Sequence, residues 1–266
     1  MTLLTRELRA SYAFVERNFY LSKRYWGWEL TFLVYSVATA LAISLIGRAE
    51  GNERLLLTLV VGAIFWNYLS TVFELIGETI SWERWEGTLE YTMMAPVRRY
   101  TQLLGTTFYA LLYGVVQTGV VLLVVIWFFE LDLSGANFAG AVLFLALGSV
   151  SFVGIGIMAS ILPLIYVERG SQMVYVVQAT LLLISGVYYS IEILPEWMQV
   201  LARFSPATYV LDGVRQALID GVGIGSLLHD VWPLLVMGFI FVPLGIWAFS
   251  RAERYAKRTG KLKRVG

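Results

Sequence analysis

The sequence predicts an all-α, polytopic membrane protein with six transmembrane helices, an N-terminal interfacial amphipathic helix, and external re-entrant helices between spans five and six. Three observations lead there. Uncharged stretches occupy residues 30–47, 55–73, 100–129, 133–167, 170–191 and 231–250. A helix of about 20 apolar residues, rising about 1.5 Å at each, crosses the hydrocarbon layer of a bilayer. Hydrophobic residues make up 58% of the 266 and charged residues 15%, with a mean hydropathy of +0.69. Soluble domains carry roughly a quarter charged residues. Of the 20 Lys and Arg, all but Arg48, Arg54, Arg203 and Arg215 fall on the side that six spans give to both termini. Lys and Arg accumulate in cytoplasmic loops, so both termini are expected in the cytoplasm.

Each element has its own signal. In residues 6–28, Leu8, Tyr12, Val15 and Phe19 recur at helical spacing while Arg9, Glu16, Arg17 and Lys23 avoid that stripe. Such a helix suits the inner membrane surface. These first 28 residues, charged and interrupted, are not expected to form a cleaved leader. The external loop 48–54 turns at Gly51-Asn52. The second span is expected to run to Ile80, followed by a charged cytoplasmic segment, 81–100. Residues 130–137 join the third and fourth spans outside. Pro163 is placed to kink or end the fourth span. Glu168-Arg169-Gly170 turns the chain into the fifth.

The connection 192–230 is long but not very polar, and Pro195 and Pro206 divide it. Residues 196–204 carry Trp197, Leu201 and Phe204 on one face. Residues 207–220 carry Val210, Leu211, Val214 and Leu218 on one face, with Asp212 and Arg215 on another. Both pieces are too short to span, so they are expected to be re-entrant or interfacial and packed against protein. Gly221, Gly223 and Gly225 give a flexible return, and a basic tail, 251–266, follows the last span. Every Trp except Trp66 lies near a span end or in a connection, where indole prefers the headgroup interface.

Much chemistry is missing. There is no cysteine, and His229 is the single histidine. No H-E-x-x-H, G-x-S-x-G or paired-aspartate motif occurs, and Gly260-Lys261 lacks the earlier glycine and the following hydroxyl of a P-loop. No metal site, cofactor or nucleotide site is therefore expected in this chain. Glu74 and Glu78 lie four apart on the second span, where a buried charge costs on the order of 3 kcal/mol at the bilayer centre. They are either pathway positions or a structural pair held by a nearby Arg or a backbone donor. Gln117 and Gln178 are expected to hydrogen-bond between helices, and Gly154, Gly156 and Ser160 to allow close helix approach.

The cytoplasmic segment reads Trp82-Glu83-Arg84-Trp85-Glu86-Gly87-Thr88-Leu89-Glu90-Tyr91-Thr92-Met93-Met94-Ala95-Pro96-Val97-Arg98. An acidic stretch, then Gly-Thr-Leu-Glu, then Ala-Pro-Val-Arg resembles the coupling segment of type-2 ATP-binding-cassette (ABC) exporter permeases. Ser185-Gly186-Val187, Leu194-Pro195, Phe204-Ser205-Pro206-Ala207-Thr208-Tyr209, Asp212-Gly213 and Arg215 resemble the region leading into that family's external re-entrant helices. The layout resembles that family throughout, as a single transmembrane domain over 1–266 with an interfacial helix at 6–28, a six-span bundle at 30–250 and the tail at 251–266.

The resemblance implies a multi-pass subunit of the plasma (cell inner) membrane, surrounded by lipid and paired with a second copy or a close relative. It also implies a cytoplasmic ABC ATPase partner that holds the ATP and magnesium, and no nucleic acid. The expected function is ATP-driven export of a hydrophobic or amphipathic substrate (a drug, lipid or lipid-linked glycan) by alternating access. The expected contacts with the ATPase are Glu83, Glu86, Gly87, Thr88, Leu89, Glu90, Met93 and Pro96. By composition, Leu89, Met93 and Met94 form an apolar patch fringed by Glu83, Glu86 and Glu90, with Pro96 ending the helix. The pathway is expected between two membrane subunits along spans two and five, with Trp66, Asn67, Glu74 and Gln178 lining it. An ion-driven secondary transporter is the alternative, and a membrane enzyme acting on lipids is disfavoured by the missing acid–base and metal groups.

Overall fold

The computed structural model describes residues 3–131 and 135–262 and is helical throughout, with no strand among the described residues. Part of the expected 130–137 loop (132–134) and the tail's Lys263 and Arg264 lie outside the described residues. The chain opens with α1 (Leu3–Arg24), α2 (Trp26–Ala49) and α3 (Glu53–Gly77). The Asn52 side chain accepts from the Leu55 N–H at 3.1 Å and caps α3. The stripe of Leu8, Tyr12 and Phe19 on α1 is left bare by the protein, the arrangement of a helix resting on lipid.

Two short helices follow, α4 (Thr79–Glu86) and α5 (Leu89–Met94), then the long α6 (Arg99–Phe129). Gly105 of α6 lets α1 pack directly on it: a Cβ there would collide with the Ser11 carbonyl oxygen. Next come α7 (Phe138–Ala159), α8 (Ile161–Ile165) and α9 (Gly170–Ile184). The break at Ser160 falls just before Pro163, whose ring clashes with the carbonyl four residues back.

Among the described residues, five stretches are long and apolar enough to cross a membrane: α2, α3, α6, Phe138–Ile165 and Trp232–Arg258. The expected fifth span, 170–191, is different. Its helix α9 holds 15 residues, about 22 Å at 1.5 Å per residue. It stops because the chain turns at Gly186, whose φ of 64° is left-handed and cannot continue a right-handed helix.

After a 3-10 turn come α10 (Glu196–Ala202), α11 (Pro206–Leu218), α12 (Ile224–Leu227) and α13 (Trp232–Arg258). α11 is packed against protein as expected, with Val210, Leu211 and Val214 fully buried. α10 is not: Trp197, Leu201 and Phe204 share a face but point out of the protein, and only Met198 and Ala202 are buried. α3 is the pillar of the core, with Leu69, Val72 and Phe73 completely enclosed. α7 packs on α3 at Gly156 and on α13 at Gly154, as the small-residue spacing predicts. A Cβ on Gly154 would stand 2.5 Å from the Phe241 carbonyl carbon. α13 also outruns its expected end at Ser250 and carries Glu253 and Lys257 beyond it.

Candidate functional site

The α4–α5 element hangs directly from the inner end of α3. Gly87, left-handed at φ 71°, ends α4, with its N–H donated to Arg84 O and the Thr88 N–H to Glu83 O. The chain then restarts as α5, whose faces differ sharply. Leu89 and Met93, one helical turn apart, are 3% and 4% exposed and anchor the element inward. Tyr91 and Met94 are 78% and 76% exposed, and Glu90 and Pro96 share the outer surface. The expected patch of Leu89, Met93 and Met94 therefore splits. A six-residue helix cannot hold itself together in isolation, so two of its apolar residues serve to fasten it. The outward surface is Glu90, Tyr91, Met94 and Pro96, with Glu86, Gly87 and Thr88 half-buried at its edge.

Glu83 is also not the solvent-facing fringe residue expected. It is 2% exposed, accepts from Arg17 of α1 at 2.7 Å and from Gln102 of α6 at 3.0 Å. Burial pushes its carboxyl above the ordinary range, and the Arg17 guanidinium opposes that shift.

Arg99, at the first turn of α6, does more. It donates to the Thr92 carbonyl at 2.8 Å and to the Met93 carbonyl at 2.7 Å, two of the orphan acceptors at the end of α5. Its Nε reaches Glu253 of α13 at 2.8 Å, and Lys257 meets the same carboxylate at 2.7 Å. The element is thus tied to α1, α6 and α13 while one face stays bare. Arg17, Gln102, Arg99 and Glu253 were not singled out from sequence. In the sequence Arg99 counts only toward the charge asymmetry, and Arg17 also as a charge off the apolar stripe of residues 6–28.

A second feature lies in the span. Asn67, Thr71, Glu74 and Glu78 follow one another at helical spacing along one face of α3. Glu74 accepts from the Tyr175 hydroxyl of α9 at 2.9 Å. Thr71 donates to Gln117 of α6 at 3.3 Å, and Gln117 donates to Ser36 of α2 at 3.2 Å. Gln117 thus bridges helices as expected. Gln178 is half-buried on α9. Trp66 does not join this stripe: it is buried in the core, about 100° around the helix from Asn67. His229 is a surface residue, near Asp230 at 3.7 Å. Among the described residues no cluster of three or more His, Cys, Asp and Glu could hold a metal ion.

The second motif region also assembles. Arg215 of α11 donates to the Gly186 carbonyl at 3.1 Å and to the Val187 carbonyl at 2.7 Å. The Ser185 and Ser205 hydroxyls meet at 2.7 Å. These bonds fasten α11 and the turn before it to the end of α9.

The sequence profile of the ABC-2 type transporter family matches residues 10–219, which run from α1 through α11. The chain is 25% identical over 159 residues to the "Probable multidrug ABC transporter permease YbhR" of Escherichia coli strain K12, covering 60% of this chain and 43% of that protein. It is 28% identical over 138 residues to the "Linearmycin resistance permease protein LnrN" of Bacillus subtilis strain 168, covering 51% of this chain and 34% of that one. The match spans less than half the length of each relative.

Proposed function

Since this chain belongs to the ABC-2 type transporter family, we propose that it is the membrane-spanning subunit of an ATP-driven exporter that moves a hydrophobic or amphipathic substrate outward. The observation that carries this is the α4–α5 element, bare on an outer face of Glu90, Tyr91, Met94 and Pro96 yet fastened to three other helices within. A loosely attached loop would absorb a push from a partner. An element held by buried ion pairs passes the push to α1, α6 and α13.

On this reading a cytoplasmic ABC ATPase docks on Glu90, Tyr91, Met94 and Pro96, and ATP with its magnesium belongs to that partner. The membrane chain works with a second copy or a close relative in the cell inner membrane, both termini inside. The sixth crossing is completed by α9 together with the non-helical chain after it. Work is transmitted only if the chain has two packings that bind the ATP-loaded partner differently. The names of the two relatives, multidrug and linearmycin-resistance permeases, favour small hydrophobic compounds as cargo.

The test is purification of the tagged chain from its own host with ATPase activity measured in the recovered complex. Met94→Asp with Glu90→Lys is expected to remove the ATPase activity while the chain still inserts and elutes as a single species. Retention of the activity by that variant refutes the docking surface. Cargo movement by the chain alone in vesicles refutes the exporter.

A further inference from the structure

We propose that the polar face of α3, between α6 and α9, is a binding site for a lipophilic organic cation, held by the carboxylates of Glu74 and Glu78. The inference rests on the exporter reading for its purpose, since it names the class of cargo, but the binding belongs to this chain alone.

Glu74 and Glu78 stand one turn apart on the inner half of a helix long and apolar enough to cross the membrane. Neither has a cation: among the described residues no Lys, Arg or His forms an ion pair with Glu74 or Glu78, nor with Glu29 at the start of α2. Glu74 and Glu29 have phenols as partners instead. Tyr175 donates to Glu74 from α9, and Tyr113 donates to Glu29 from α6. Tyr113 also lies within electrostatic reach of Glu74.

Independently of that arrangement, Glu78 is 5% exposed and its Oε1 has no hydrogen-bond partner. A buried acceptor left open on the same face as Glu74 is what a missing donor would leave behind. Asn67 further along the face likewise leaves its Nδ2 unpartnered.

The surroundings select the ligand. Carboxylates in apolar surroundings are satisfied by a positive charge. Tyr113, within electrostatic reach of Glu74, and Tyr175, bonded to it, offer aromatic faces that attract cations. Leu112 of α6 and Val176 of α9 are exposed and apolar, so the two helices that flank the polar face present hydrocarbon to the lipid from which the ligand comes. Glu74 is only half-buried and Tyr175 is exposed, which leaves the face open to a compound dissolved in the inner leaflet. An anion of equal size would meet two carboxylates and no compensating charge.

Three probes of nearly one shape separate charge from greasiness: tetraphenylphosphonium, tetraphenylborate and neutral tetraphenylsilane. Binding is measured on the purified full chain, with its ATPase if that is recovered, by equilibrium dialysis in detergent. Tetraphenylphosphonium is expected to bind at least about tenfold more tightly than either analogue, and Glu74→Gln and Glu78→Gln each to erase about that preference. Glu74→Asp, which keeps the charge, is expected to keep the preference, and guards against a variant that merely misfolds. Equal binding of the three probes to the unaltered chain overturns the site, as does full preference in a folded Glu74→Gln, Glu78→Gln double variant. Loss of the site leaves ATPase recovery untouched, whereas loss of the ATPase leaves charge-dependent binding untouched.

Discussion

Arg99→Ala tests whether the α4–α5 element is held by the network that surrounds it. The Arg99 side chain is 14% exposed and its partner Glu253 is 9% exposed. Removing it frees two carbonyls at the end of α5 and one bond to Glu253. Charge-assisted bonds of this kind contribute about 1.5–3 kcal/mol each. They belong to one network and do not add, and Lys257 stays on Glu253 at 2.7 Å, so the carboxylate is not left alone. We therefore expect about 3 kcal/mol, at the lower end for breaking a buried pair. The loss should be local, because α5 has six residues and little helical stability of its own. Hydrogen exchange followed by mass spectrometry on the purified chain is expected to give amides of residues 89–94 exchanging about a hundredfold faster, with the centre of α3 unchanged. Arg99→Lys retains the charge but not the fork, and should restore part of the protection. Unchanged exchange across α5 refutes the brace. Equal acceleration throughout the chain shows instead that Arg99 supports the whole fold.

Arg215→Met should release the carbonyls of Gly186 and Val187 and loosen the α10–α11 segment by about 2 kcal/mol, read as faster proteolysis within 192–203 at unchanged protection of α4 and α5. Gly154→Ala places a methyl 2.5 Å from the Phe241 carbonyl carbon and 2.7 Å from the Val242 nitrogen, backbone atoms that cannot rotate aside. A cost of about 1–3 kcal/mol is expected, seen as a lower Tm in detergent, whereas Gly119→Ala, with nothing near it, should be neutral. Because burial raises the Glu83 carboxyl, the folded chain binds a proton that the unfolded chain has released, in the window just above the ordinary carboxylate pKa. Stability should therefore fall as pH rises through that window, and Glu83→Gln should flatten that slope in thermal melts.

Much of this fold is legible in the residues because lipid leaves few choices. Long apolar helices need no tertiary partner to announce themselves, the Asn52 cap and the Pro163 break are local chemistry, and glycine at Gly154 has no side chain to accommodate. The residues mark out the α4–α5 segment, but not how it is turned. Leu89, Met93 and Met94 look alike in sequence, and which of them turn inward depends on α1 and α6 packing beneath. Glu83 looks like a solvated glutamate because the arginine that buries it stands 66 residues away. The early end of α9 was hidden for a different reason. Residues 185–191 stay uncharged beyond the helix, and only the left-handed backbone at Gly186 stops it.

On the exporter reading, the joint between α3 and α4 decides how much of a push reaches the membrane. Glu78 occupies that joint. Its N–H bonds to the Glu74 carbonyl at 2.8 Å, and its own carbonyl accepts from the Trp82 N–H at 3.0 Å. With φ −88° and ψ −1° it stays in the right-handed region, so helical hydrogen bonding passes almost unbroken from the span into the docking element. The left-handed break comes later, at Gly87, between α4 and the face offered to the partner. Gly77 ends α3 beside Glu78 without turning left-handed; were the left-handed turn at that joint instead, α4 would swing freely and α3 would feel little. As built, a displacement of α5 must either strain the Arg99 and Glu83 ties or tilt the inner end of α3. The carboxylates of Glu74 and Glu78 ride on that same end. Coupling between sites needs a discrete, physically continuous element that both sites bias, and here that element is one helix with its docking foot.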